Sequence, residues 1–195
     1  RGIRDYQPFD RMKDVNWKAS AKTGELKVNM HDYTARQEVF FLLNLETEAM
    51  LEYESLKEES IRIVNSLAEW FLLQGIPVGL LSNGRDIETK KELHMVSGSG
   101  SGHLMVIREW LARLDLSQEC REYGELLKEQ TAKQRKDTLY ILVSTSQRER
   151  VQQEFNQICK KSKGSMWILP LYSDMEERLT DCPFAEHYRW EVGDG

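Results

Sequence analysis

Long apolar runs are missing from this chain. Mean hydropathy is −0.59, and no uninterrupted apolar stretch approaches the ~18 residues of a membrane-spanning helix. Direct membrane insertion by this segment is therefore not expected. An excess of basic charge is missing too. The 27 Lys and Arg residues face 32 Asp and Glu, for a net charge of −5. That balance leaves no electrostatic footprint for nucleic acid or an anionic membrane surface. Cysteine is scarce: Cys120, Cys159 and Cys182 are odd in number and widely spaced. They do not make a disulfide framework, and reduced thiols in a cytoplasmic protein are expected. No Cys/His pair has zinc-ligand spacing. The opening "RGIRDYQPFD" has no apolar centre, so it is not a signal peptide. It starts on Arg1 rather than Met, so the chain is expected to be a piece of a longer protein whose flanks could carry a membrane anchor.

What is there suffices for a core. The 195 residues, 40% of them hydrophobic, fit one domain or at most two small ones. "EVFFLLNLE", residues 38–46, is a short continuous apolar run that predicts a strand buried on both faces. In the next segment Ser55 and Glu58 form a capping box. Ile61, Val64, Leu67, Ala68, Phe71 and Leu72 then recur at helical spacing until Gly75 and Pro77 stop the helix. "IPVGLLSN" predicts a second buried strand, joined through Asn83-Gly84 to a shorter third, "ETKKELHMVS". "HLMVIREWLARL" and "CREYGELLKEQ" predict helices, and "DTLYILVSTS" another buried strand. Ser146 and Glu149 form a second capping box opening "RERVQQEFNQICKK", and "SMWILPLY" is the last clear strand. Strands buried on both faces and alternating with helices predict an α/β fold, with a mostly parallel sheet covered by helices on both sides. Ligands of such sheets sit at the carboxyl ends of the strands. The informative loops then begin at Asn44, Ser82 and Ser144.

Three patterns bear on chemistry. "SGSGSGH" precedes a helix and could offer backbone N–H groups to a phosphate. Its spacing, Gly98-x-Gly100-x-Gly102, is neither the dinucleotide pattern nor a P-loop, and no Lys-Ser or Lys-Thr follows. It reads as a turn and a helix start. The histidines His31, His94, His103 and His187 form no triad pattern with Cys, Ser or Asp. In "NLETE", Glu46 and Glu48 follow the first strand with alternating direction, and two carboxylates in one crevice are suited to a hard cation such as Mg²⁺. The alternative for that pair is a solvated loop.

The opening segment "RDYQPFDRMKDVNWKASAKTGELKV" is polar, yet particular in residue type. It resembles the signature of the bacterial family known as domain of unknown function fifty-eight. The pattern there is Arg-x-Tyr-x-Pro-Gly-Asp, then Arg-x-Ile-x-Trp-x-x-Ser-Ala-Arg, then Leu-x-Val. Arg4, Tyr6, Pro8, Asp10, Val15, Trp17, Ser20, Ala21, Leu26 and Val28 fall in register without a gap. Phe9, Lys13 and Lys22 depart from it. The likeness continues more loosely to about Tyr172.

The resemblance implies a von Willebrand factor A-like, Rossmann-type fold: three layers, a mostly parallel sheet and one antiparallel edge strand. Such domains often carry a metal-ion-dependent adhesion site. Its pattern is Asp-x-Ser-x-Ser after the first strand, a Thr from a second loop and an Asp after a later strand. Here the first loop reads Asn44-Leu45-Glu46-Thr47-Glu48, Ser99 or Ser101 stands for the Thr, and Ser144-Thr145 stands where the Asp is expected. That describes a degenerate site, and no metal or other cofactor is expected. The implied organisation is a polar N-terminal strap with a short strand (1–37), the α/β domain (38–172) and a tail of unassigned role (173–195). Trp17 is expected as the buried anchor of the strap, with Asp10 and Lys13 pairing or capping nearby backbone. Many members of the family have membrane segments before this domain and are encoded beside a MoxR-type AAA+ ATPase. The functional expectation is a non-enzymatic scaffold or adaptor with a protein partner and no catalytic residues. The alternatives are a divalent-metal-dependent adhesion domain using Glu46 and Glu48, and a nucleotide-binding enzyme using the Gly-rich loop.

Overall fold

The computed structural model describes residues 2–6, 15–30, 37–48, 54–133, 135, 137–162 and 164–193. They fall into two compact units, Arg1–Arg36 and Gln37–Gly195.

In the first unit, β1 (Gly2–Asp5) pairs antiparallel with β2 (Lys27–Met30), placing Arg4 opposite Val28. The short helix α1 (Trp17–Thr23) lies between them in sequence. Asn16 caps it, accepting the Ala19 N–H at 2.9 Å, and Gly24 ends it in the left-handed region at φ 75°. Ser20 latches the helix to the hairpin. Its hydroxyl donates to Asn16 O and accepts from Lys27 N, both at 2.9 Å. Tyr6 is half-buried, and its N–H donates to Leu26 O at 2.9 Å. The anchor expectation for Trp17 needs correction. The ring is 61% exposed, and α1 buries none of its residues. Trp17 sits at the first helical position, and the buried apolar side chains nearby are instead Val15 and Val28, which bridge each other. Ala21 is exposed as well. Pro8, Asp10 and Lys13 lie outside the described residues.

The second unit is the expected three-layer α/β fold. Its strands are β3 (Glu38–Asn44), β4 (Val78–Asp86), β5 (Glu92–Gly98), β6 (Leu114–Asp115), β7 (Thr138–Ser144), β8 (Gly164–Tyr172) and β9 (Glu186–Val192). The sheet order is β5-β4-β3-β7-β8-β9, with β6 on the end of β4. Pairings from β4 through β9 are parallel, and β5 is the antiparallel edge strand.

Parity in the strands decides the layers, because successive side chains point to opposite faces. Val39, Phe41 and Leu43 of β3 and Ile141 and Val143 of β7 enter one core layer. Beneath it α2 (Glu54–Leu73) presents Ile63, Val64, Ala68 and Leu72, and α3 (Gly100–Ala112) presents Ile107 and Leu111. Phe40 and Leu42 with Tyr140 and Leu142 enter the opposite layer. There α4 (Tyr123–Lys133) supplies Leu126 and Leu127, and α5 (Glu149–Lys161) supplies Val151, Phe155 and Ile158. Trp167 of β8 is fully buried there, edge-on to Phe155 at 5.8 Å between ring centroids.

Several local expectations are corrected. Asn83-Gly84 is not a hairpin turn. Both residues lie inside β4, where the pairing with β5 shifts register. Gly84 lets Leu45 pack close, since a Cβ there would meet Leu45 Cδ1 at 2.7 Å. The reversal comes after Asp86, whose carboxylate accepts the N–H groups of Glu88 and Thr89 at 2.9 and 2.7 Å. Helix α2 begins at Glu54, so Ser55 lies within its first turn and is not its cap. Ser146 does not cap α5, because Arg148 holds the capping position. Within the tail of unassigned role, residues 186–192 form β9, parallel to β8. Among the described residues, no helix is long and apolar enough to cross a membrane.

Candidate functional site

The order of strands reverses direction between β3 and β7. That point is where ligands of open α/β sheets enter, at the carboxyl ends of the strands. The last residues of the two strands, Asn44 and Ser144, are register partners. Both are buried, at 2% and 0% exposure. Asn44 Nδ2 donates to Ser144 Oγ at 2.9 Å, and Ser144 Oγ donates to Ser146 O at 2.8 Å. Asn44 Oδ1 accepts from the N–H of Glu46 at 2.9 Å and from Nδ2 of Asn83 at 3.0 Å. Asn83, fully buried, also accepts the Leu45 N–H at 2.9 Å and donates to Arg121 O at 2.9 Å. The two asparagine amides and one serine thus tie β3, β4, β7 and the segment before α4 into one chain of hydrogen bonds.

The structure brings Glu46 and Glu48 to this crevice, and each carboxylate is already used. Glu46 Oε1 pairs with Arg148 Nη1 at 2.6 Å, and Oε2 accepts the Tyr123 N–H at 3.2 Å. Tyr123 is the first residue of α4. Glu48 Oε1 accepts the N–H of Gln147, just before α5, and the Ser146 hydroxyl at 3.2 Å. Its Oε2 pairs with Arg178 Nη2 at 2.7 Å. Each glutamate therefore combines a guanidinium with backbone N–H at or near a helix N-terminus, where negative charge is favoured. Glu46 is largely buried, and burial pushes its carboxyl above the ordinary range. The Tyr123 N–H and the Arg148 charge act in the opposite sense.

Two glutamines fasten residues 176–181 beside the crevice. Gln147 donates to Glu176 O at 2.9 Å and accepts the Arg178 N–H at 2.5 Å. Gln152 donates to Gln147 O at 2.7 Å and Arg178 O at 3.1 Å, and accepts the N–H groups of Thr180 and Asp181 at 2.9 Å. The tail is thereby held so that Arg178 reaches Glu48.

The residues do not fit a metal site of the adhesion type. Such a site needs free oxygen ligands around a divalent cation. Here two guanidinium groups face the two carboxylates, and the hydroxyls of Ser144 and Ser146 are engaged by protein groups. Among the described residues, no group of three or more His, Cys, Asp or Glu side chains could hold a metal ion. Thr145 turns away and donates to Pro170 O at 2.9 Å. Ser99 and Ser101 cannot stand for the missing Thr. Strand β5 is antiparallel and ends at Gly98 opposite Val78, the first residue of β4. Both serines follow that point, at the end of the sheet away from Asn44. In the Gly-rich loop Gly98 is explained by packing and Gly100 by its positive φ of 85°. A Cβ on Gly98 would meet the His103 ring at 2.6 Å, and His103 Nε2 lies 2.7 Å from Val78 O.

Arg148, Arg178, Asn83, Gln147 and Gln152 escaped the sequence reading. Arg148 was within reach of it, since it follows Ser144 by four residues. Arg178 lies 130 residues beyond Glu48, and no spacing rule links them.

No protein-family model matches the chain, and no curated protein does either. Among solved structures, the chain is similar to the conserved hypothetical protein BatB from Bacteroides thetaiotaomicron. The TM-score is 0.49 at 11% sequence identity, over 79% of this chain and 90% of that one.

Proposed function

We propose that this chain is a non-enzymatic, cytoplasmic protein-interaction module whose sheet-end crevice meets its partner without a bridging metal ion. One observation carries the reading: both crevice carboxylates are neutralised from within, Glu46 by Arg148 and Glu48 by Arg178. A metal-dependent site recruits a partner by leaving a cation's coordination sphere open. This crevice instead presents arginines that are 46% and 62% exposed, suited to carboxylates or carbonyls on another protein. The gapless signature from Arg4 to Val28 supports placing the chain in the family of domain of unknown function fifty-eight. A MoxR-type AAA+ ATPase follows as the partner to test first.

The experiment is capture of a purified MoxR-type ATPase by the immobilised chain, with and without EDTA. Expected is retention that survives EDTA and is lost on Arg178→Glu, which places a second acid beside Glu48. Retention that requires Mg²⁺ or Mn²⁺, or calorimetric binding of either ion at micromolar concentration, would overturn the metal-free reading. Failure of any such ATPase to bind would remove it as the partner.

A further inference from the structure

A second concavity lies away from the crevice, between α4 and the open face of β5. It encloses about 200 Å³. That is below the ~300 Å³ at which drug-sized sites begin, so it suits a small metabolite. Leu81 and Leu126 line it with apolar surface. The polar residues lining it fall into two groups. Glu92 and Glu129 share Arg121, at 3.4 and 3.0 Å, which neutralises one of the two carboxylates. One helical turn beyond Glu129 on α4 is Lys133, and two residues beyond Glu92 on β5 is His94. Neither has an ion pair among the described residues. Four helical residues rise ~6 Å and two strand residues ~6.6 Å. The two carboxylates with their shared Arg121 and the Lys133 cation are thus offset by ~6 Å along the backbone.

Gln130 supplies the second observation. It lines the cleft, is only 7% exposed, and its side-chain amide has no hydrogen bond among the described residues. Its amide nitrogen and oxygen are not among the buried atoms left without a partner, so they face the open space of the cleft and are available to a ligand. On α4 it lies between Glu129 and Lys133.

From this arrangement we infer a binding site for a small zwitterion with a central amide, a dipeptide of small residues. Its ammonium sits at Glu92 and Glu129, its peptide group pairs with the Gln130 amide, and its carboxylate meets Lys133 and His94. The charges of an extended dipeptide stand about two residues apart, ~6–7 Å, which matches the spacing of the two groups. The lining is close to neutral overall, so a singly charged ion is less well matched than a dipole.

The probe is glycylglycine, titrated calorimetrically into the whole chain. N-acetylglycinamide tests the need for charge, and 4-aminobutyrate, a zwitterion without a peptide group, tests the need for the amide. Expected is saturable binding of glycylglycine, weakened at least tenfold in Lys133→Met and in Gln130→Leu. The uncharged analogue should not bind. Lys133 is exposed, so its substitution leaves the fold intact, and melting curves check Gln130→Leu. Absence of saturable binding at about 10 mM glycylglycine, or equal binding by wild type and Lys133→Met, overturns the inference. Binding of 4-aminobutyrate as tight as glycylglycine, and unchanged in Gln130→Leu, overturns the dipeptide assignment. These residues lie outside the crevice, so the result is independent of the partner experiment.

Discussion

Replacing Glu46 by Gln and by Ala separates the two things this side chain does. The carboxylate is 8% exposed, while its partner Arg148 is 46% exposed. Burial raises the Glu46 carboxyl above its ordinary value of 4.5, outweighing the Tyr123 N–H and Arg148. The sign follows directly. A folded-state pKa above the unfolded one means that the folded chain holds the proton more tightly. The group's contribution is then most favourable below the unfolded pKa and is lost as pH rises through the folded value. At neutral pH the charge itself opposes folding. Gln keeps an acceptor for the Tyr123 N–H and removes that charge, and Arg148 is free to turn to water. Glu46→Gln should therefore lie within about 1 kcal/mol of wild type at pH 7, and its relative stability should improve between pH 4 and pH 7. Glu46→Ala removes the acceptor and leaves a backbone N–H at the buried start of α4 unpaired, which costs about 1–3 kcal/mol. Urea denaturation of all three proteins at pH 4, 5.5 and 7, with unchanged m values, measures these differences. If Glu46→Gln loses as much as Glu46→Ala at pH 7, the Arg148 pair outweighs burial and the reasoning is wrong.

Asp86 behaves in the opposite way. Arg113 above all, then the Thr89 N–H, hold its carboxyl well below the ordinary 3.8. Its stabilisation is present above that value and lost as pH falls, so Asp86→Asn should flatten the acid limb of a melting-temperature profile. Trp167 donates its indole N–H to Ser144 O at 3.1 Å. Trp167→Phe should cost about 1–3 kcal/mol for the orphaned carbonyl and lost volume, and a denaturation midpoint like wild type would refute that role. Trp17→Ala should shift stability by no more than ~0.5 kcal/mol, because the ring is exposed. A large loss in thermal melting would restore the buried-anchor expectation.

The parallel strands were legible because burial on both faces makes them continuously apolar, as residues 39–43 and 139–143 show. The antiparallel edge was legible only in part. Its alternation marked a strand, but Asn83-Gly84 imitated a hairpin turn while serving a register shift inside β4. Strand β9 was not legible: "EHYRWEV" lies at the sheet's edge, partly exposed on both faces, and lacks an apolar run. Helix starts misled for a related reason. Ser146 has the residue type of a cap, but its hydroxyl is taken by Glu48, a contact across 98 residues. Pattern rules see neighbours in sequence. They do not see a side chain claimed by a distant segment.

The same limit explains what was legible of the crevice. Asn44 and Ser144 could be read as departures from an acidic metal set, but not as partners of each other. The residues present form a consistent physical set. Asn44 supplies an N–H donor to Ser144 as well as an acceptor to Glu46 and Asn83, which a carboxylate could not do. Glu46 and Glu48 are long enough to reach the starts of α4 and α5. Two acids in one crevice would repel each other, and Arg148 and Arg178 offset that repulsion. The second of these arginines comes from the segment leading into β9, and it is in place only when Gln147 and Gln152 hold that segment. Charge balance in the crevice is thus tied to docking of the C-terminal segment. A partner that offers its own cation to Glu48 would compete with Arg178, and the place to look for its effect is residues 176–181, whose amide hydrogen exchange should quicken when such a partner binds.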